Sequence, residues 1–185
     1  MSRTPPSPTA LRVSELSQNR RTAFSLRPDT AETKRIADEL GLLGLRKLSF
    51  EGHLRGEGAQ DWRLEANLGA TVIQPCIVTL DPVTTRLEVP VTRLFQHDYV
   101  DIDAPEAEMP EHDTTEPLRA WIDPAEVMIE ALVLALPQYP RSEGAELGDA
   151  VFAAPGITPM RDEDARPFSG LAALKDKLGQ DKDED

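Results

Sequence analysis

Between residues 45 and 95 apolar and polar residues alternate with the two-residue period of strands, and this pattern organises the chain. Leu48, Phe50 and Leu54 mark a first strand in this region, and Gly56-Glu57-Gly58-Ala59-Gln60-Asp61 reads as a turn. Trp62 to Leu68 alternates cleanly, and Ala70 to Ile73 leads through Pro75 into an apolar run, Cys76 to Leu80. Asp81-Pro82 predicts another turn, before strands at Thr85–Val89 and Val91–Phe95. Pro75 and Pro90 lack a backbone donor, which assigns them to strand starts, bulges or edges. Upstream, Thr22-Ala23-Phe24-Ser25-Leu26 alternates as a short strand, and Arg12 to Leu16 reads as a first strand or a docked arm.

Two segments break the alternation with helical spacing. Asp29 is placed to cap a helix, with Glu32 three residues on, the spacing of a capping box. Ala31, Ile36, Leu40 and Leu43 fall near one face of that helix, and Gly41 and Gly44 offer stops. Leu118 to Ile122 predicts a short strand, after which Asp123-Pro124 gives a cap and a first-turn proline, with Glu126 at the third position. The helix from Ala125 to Leu136 is apolar almost all round, so it needs cover, most simply from the sheet. The expected fold is α+β: a curled antiparallel sheet, barrel-like if it closes, against one apolar helix, with a second short helix near the N-terminus. The reading divides the chain into a disordered 1–10, a domain at 11–140 with an acidic loop at 97–116, a loop and Pro-Phe segment at 141–178, and an acidic tail at 179–185.

Composition trims the alternatives. Hydrophobic residues make up 39% of the 185 positions and there are 16 prolines, which predicts chain outside the core. No apolar run is long enough to span a membrane, and no apolar stretch follows Met1-Ser2-Arg3 as in a secretory signal. The single Cys76 rules out an internal disulfide framework and suits a reducing, cytoplasmic setting. Charge is split unevenly along the chain. Residues 1–55 hold ten Lys/Arg and six acids, a net of +4, whereas residues 56–185 carry a net of −17. Such asymmetry points to nucleic-acid contact or to an acidic solubilising half.

Candidate chemistry is sparse. His53, His97, His112 and Cys76 are scattered without the spacing of a metal site, so neither metal nor cofactor is expected. Cys76 sits in an apolar run predicted as a strand, where burial would raise its pKa and leave it inert. Glu126 and Glu130 lie four apart on one helical face, but the first has a capping position and the second reads as a solvent edge. A histidine beside Glu126 in an open pocket would reopen the enzyme class, which is otherwise the weaker one. Arg20, Arg21, Arg27, Arg46, Lys47, Arg55 and Arg63 are the candidates for phosphate contact, although a pI near 4.7 opposes bare RNA binding. Near the end, Pro167 and Phe168 precede Leu171, Leu174 and Lys175, an aromatic-led amphipathic turn that either docks on the core or enters a partner's groove.

Three stretches together resemble the YceD family, bacterial proteins named for large ribosomal RNA subunit accumulation, with plastid relatives. Val72 to Val83 is similar to the family's central strand and turn with its cysteine. Glu126 through Leu136-Pro137-Gln138-Tyr139-Pro140 is similar to its acidic-led apolar helix, and Arg166-Pro167-Phe168-Ser169-Gly170-Leu171-Ala172-Ala173-Leu174-Lys175 to its C-terminal Asn-Pro-Phe signature. Many members carry Cys-x-x-Cys at the first stretch; the earlier position is read here as Ile73, and Arg166 stands where Asn is common. The resemblance implies a non-enzymatic factor needed for 23S rRNA accumulation or processing in large-subunit biogenesis. The implied partner is large-subunit rRNA or a pre-ribosomal particle. The alternative is an acidic adaptor or chaperone for a basic ribosomal protein or an RNA-processing enzyme, with the acidic 97–116 loop and tail as its electrostatic surface.

Overall fold

In the computed structural model, which describes residues 4–99, 114–146 and 156, the alternating middle of the chain forms three long strands instead of four or five short ones. In chain order the strands are β1 (Leu11–Arg12), β2 (Thr22–Leu26), β3 (Gly44–Glu57), β4 (Asp61–Pro75), β5 (Pro82–Gln96), β6 (Thr115–Pro117) and β7 (Trp121–Ile122). The helices are α1 (Thr30–Glu39) and α2 (Pro124–Ala135). All lie in the unit Met1–Ala145; of the second unit, Glu146–Asp185, only Glu146 and Gly156 are described. His112, most of the acidic 97–116 stretch, the Pro167–Lys175 segment and the acidic tail therefore lie outside the described residues.

The main sheet has the order β2-β3-β4-β5-β6, and β1 pairs with β7 in a separate two-stranded sheet. It is open, not a barrel, because its edges β2 and β6 are short and pair on one side only. It is also not wholly antiparallel, since β6 runs parallel to β5 from Leu94 to Gln96. Of the Leu118–Ile122 strand only Trp121 and Ile122 form, against Arg12 and Leu11. Pro90 does not interrupt β5; it sits opposite Asn67, and the other side of β5 is unpaired by described residues until Leu94. The predicted strand Cys76–Leu80 is instead the turn joining β4 to β5. The Cys76 N–H donates to the Asp81 carbonyl at 2.7 Å and the Leu80 N–H to the Cys76 carbonyl at 3.0 Å.

Alternation decides which residues fill the core. Trp62, Leu64, Ala66, Leu68, Ala70 and Val72 of β4 all point inward and are buried. Phe50 and Leu54 of β3 lie directly opposite Leu68 and Leu64. All four are fully buried, and each such side chain contributes about 1.5–3 kcal/mol relative to an exposed one. Asp29 caps α1 as predicted, accepting the Glu32 N–H at 2.8 Å. Ile36 and Ala37 turn inward; Ala31 and Leu43, expected on the same face, are exposed. The helix stops at Glu39 and Gly41 adopts φ +64°, which turns Leu42 into the core in place of Leu43.

The second helix is held at its start by Asp123, whose carboxylate accepts from the Ala125 N–H at 2.9 Å and from the Thr9 hydroxyl at 2.6 Å. Val127, Met128, Ala131 and Leu132 are buried, but Leu134 is 72% exposed, so the sheet covers one face of α2 and not its whole circumference. Glu130 is exposed, as the solvent edge expected of it, and is also engaged in an ion pair. It pairs with Arg93, a buried cation of β5 whose Nε also lies 3.1 Å from Glu116. Burial, then repulsion from Glu130, raises the Glu116 pKa above 4.5, and Arg93 opposes the shift. A raised folded-state pKa means that the native state holds the proton longer, so stability declines as pH rises through the window just above 4.5. Arg93→Ala is expected to steepen that decline and to cost about 1–3 kcal/mol at neutral pH, less than the roughly 3–5 kcal/mol of a fully buried pair because the half-exposed carboxylates regain water. Urea denaturation at acid and neutral pH checks both; equal losses at the two pH values would remove Arg93 as the counterion.

Candidate nucleic-acid interface

The sequence singled out seven cations, and the fold separates them into two groups. Arg27 donates from Nε and Nη2 to Glu51 at 3.0 and 2.7 Å, which lowers the Glu51 pKa. Arg55 and Arg63 face each other across β3 and β4, a like-charge pair held by the carboxylate between them. Arg63 grips Glu57 at 3.1 and 3.0 Å, while Arg55 reaches Glu57 at 3.2 Å and Glu65 at 3.3 Å. These three cations are neutralised on the sheet surface. Arg20, Arg21, Arg46 and Lys47 are exposed and carry no side-chain hydrogen bond or ion pair among the described residues.

Arg46 and Lys47 owe their exposure to a β-bulge. Arg46 lies opposite Thr71 and Ser49 opposite Gly69, so Lys47 and Leu48 together face the single residue Ala70. In an unbroken strand Lys47 would share the buried side of Leu45. With Lys47 at φ +51°, both cations point out and Leu48 returns to the core. Between this bulge and α1 opens a groove of about 480 Å³, lined by Thr30, Thr33, Lys34 and Asp38 on the helix and by Arg46 and Lys47 on the strand. Lys34 was missed from sequence, yet the cap at Asp29 fixes the helix phase. With Ile36 and Ala37 inward, Lys34 and Asp38 fall on one flank, and Arg35 and Glu39 pair on the other at 3.4 Å.

Two further polar sites stand apart from the groove. A pocket of about 160 Å³ is lined by Glu116, Asp123, Glu126 and Glu130 with Arg119 and Trp121, and by no histidine among the described residues. The other site surrounds Cys76, which is neither in a strand nor an ordinary buried thiol. Its sulfur accepts from the N–H groups of Val78, Thr79 and Ser142 at 3.4, 3.5 and 3.4 Å, and from the Ser142 hydroxyl at 3.4 Å. Donation by Ser142, then by Thr79, lowers its pKa from 9.0 to about 6, with burial acting in the opposite direction. Ile73 lies away on β4 against Gly44; the residue at three-position spacing that meets Sγ is Thr79.

Cations unpaired among the described residues, at a bulge beside a helix, define an α+β domain with a cationic groove on its surface. The chain matches, over residues 64–175, the family model described as large ribosomal RNA subunit accumulation protein YceD, and it belongs to that family. No curated protein and no solved structure matches it. Membership carries a role in the accumulation of large-subunit ribosomal RNA. Lys34, Arg46 and Lys47 precede the matched stretch. No helix among the described residues is long and apolar enough to cross a membrane.

Proposed function

We propose that the protein is a non-enzymatic cytoplasmic factor of large ribosomal subunit biogenesis, required for 23S rRNA to accumulate or be processed, and that it acts by binding rRNA or a pre-ribosomal particle. The observation that carries this reading is the set of exposed Arg20, Arg21, Arg46 and Lys47, unpaired among the described residues, on a chain of the YceD family. Exposed cations without internal carboxylate partners are free to neutralise phosphates and release counterions, a source of affinity that needs no base contact. A second reading, an acidic adaptor for a basic ribosomal protein or processing enzyme, draws on the pocket where four carboxylates meet. Crosslinking the tagged protein in cells, with RNA and protein recovered separately, decides between them. Large-subunit rRNA crosslinked to residues 20–47 is the expected result. Recovery of one basic protein without crosslinked RNA would transfer the function to the carboxylate pocket.

A further inference from the structure

We propose that the groove between α1 and the β3 bulge is the seat of an RNA phosphodiester backbone, held by Lys34, Arg46 and Lys47 without base readout. The proposal rests on the rRNA-binding reading above and assigns it a place. The first argument is backbone geometry. Lys47 occupies the left-handed region, which disfavours every residue with a Cβ, and a glycine there would relieve the strain. Strain of this kind persists where the surroundings impose it and gathers at functional positions. Here it sets two consecutive cations on the same exposed side, an arrangement that regular alternation forbids.

Charge complementarity names the occupant. Three cations from two elements line one groove, and none of their side chains has a hydrogen bond or ion pair within the described residues. Asp38 is the one carboxylate among the described residues of the lining, and it repels an anion at the helix flank. No aromatic side chain among the described residues lines the groove, so these residues supply no stacking platform on which single-stranded bases are read. Leu43, 59% exposed on the same lining, offers apolar contact to a ribose or base without choosing among bases. Binding led by phosphate and tolerant of sequence follows.

The test uses the full-length protein with two probes, oligouridylate and a 23S rRNA transcript. The K34E/R46E/K47E variant should lose at least about tenfold in affinity at low salt, and the slope of log affinity against log salt should fall by about 2, at about 0.7 per single-strand phosphate. Lys47→Gly should keep or raise Tm while weakening binding, a pairing that separates function from folding. Asp38→Asn should tighten it. Unchanged affinity and slope in the triple variant, with wild-type binding intact, would overturn the groove and leave the rRNA reading standing. Failure of the wild-type protein to bind either probe would overturn both. A photocrosslinker at Leu43 supplies the cellular arm: RNA at this position supports the assignment, and an acidic protein segment there without RNA refutes it.

Discussion

Cys76→Ala is expected to lower Tm by about 5–10 °C, because it leaves three backbone N–H groups and the Ser142 hydroxyl without their common acceptor. The effect extends beyond the turn. The same turn receives the chain leaving α2: the Ile77 N–H donates to the Pro140 carbonyl at 3.0 Å, and Gln74 donates to the Pro137 carbonyl at 3.2 Å. Cys76→Ser keeps an acceptor and should lose less. Because the thiol is lowered from 9.0 to about 6, the unfolded chain binds a proton between those values that the folded one does not. Stability from this group is therefore complete above 9.0 and lost as pH falls through about 6. Tm measured across that range should climb more in the wild type than in Cys76→Ser, and the ultraviolet absorbance of the thiolate should appear with a midpoint near 6. A midpoint at or above 9.0 would mean that burial dominates the donors.

Gly52→Ala should be the most damaging single-methyl change in the sheet. A methyl on Gly52 would lie 2.3 Å from the Glu65 carbonyl oxygen and 2.5 Å from the Ala66 Cβ. Both belong to β4, directly across the ladder, where backbone cannot yield without shifting the strand. Overpacking of this kind costs about 1–3 kcal/mol, more than the roughly 0.4–1 kcal/mol that a Gly→Ala change returns through the unfolded chain. A urea midpoint equal to wild type would show that β4 relaxes away from the methyl. Gly58 offers the contrast: among the described residues nothing lies within 4 Å of its would-be Cβ, and its φ of +61° alone argues for glycine.

Helix capping was readable in the sequence and distant pairing was not. The caps at Asp29 and Asp123 act within three residues, so spacing alone found them. The inward row of β4 follows from alternation. Cys76 and Ser142 are 66 positions apart and Arg93 and Glu130 are 37 apart, and no local pattern announces either contact. Charge was visible at Arg27, Arg55 and Arg63, but their neutralisation depends on strand register. The bulge did leave a trace. Leu45 and Leu48 are three apart inside a run of period two, a spacing that requires an extra residue on the exposed side.

The open sheet carries a further consequence in its proline. Among the described residues nothing pairs with the outer side of β5 between Pro82 and Arg93, a length that would ordinarily template polymerisation by strand addition. A proline within a ladder is tolerated where its nitrogen faces away from the paired neighbour, so the donor missing at Pro90 falls on the free side. A guest strand laid along that edge would meet a gap midway, between the charged Arg86–Glu88 pair and Arg93. Pro90 thus blunts this open edge against the addition of a further strand.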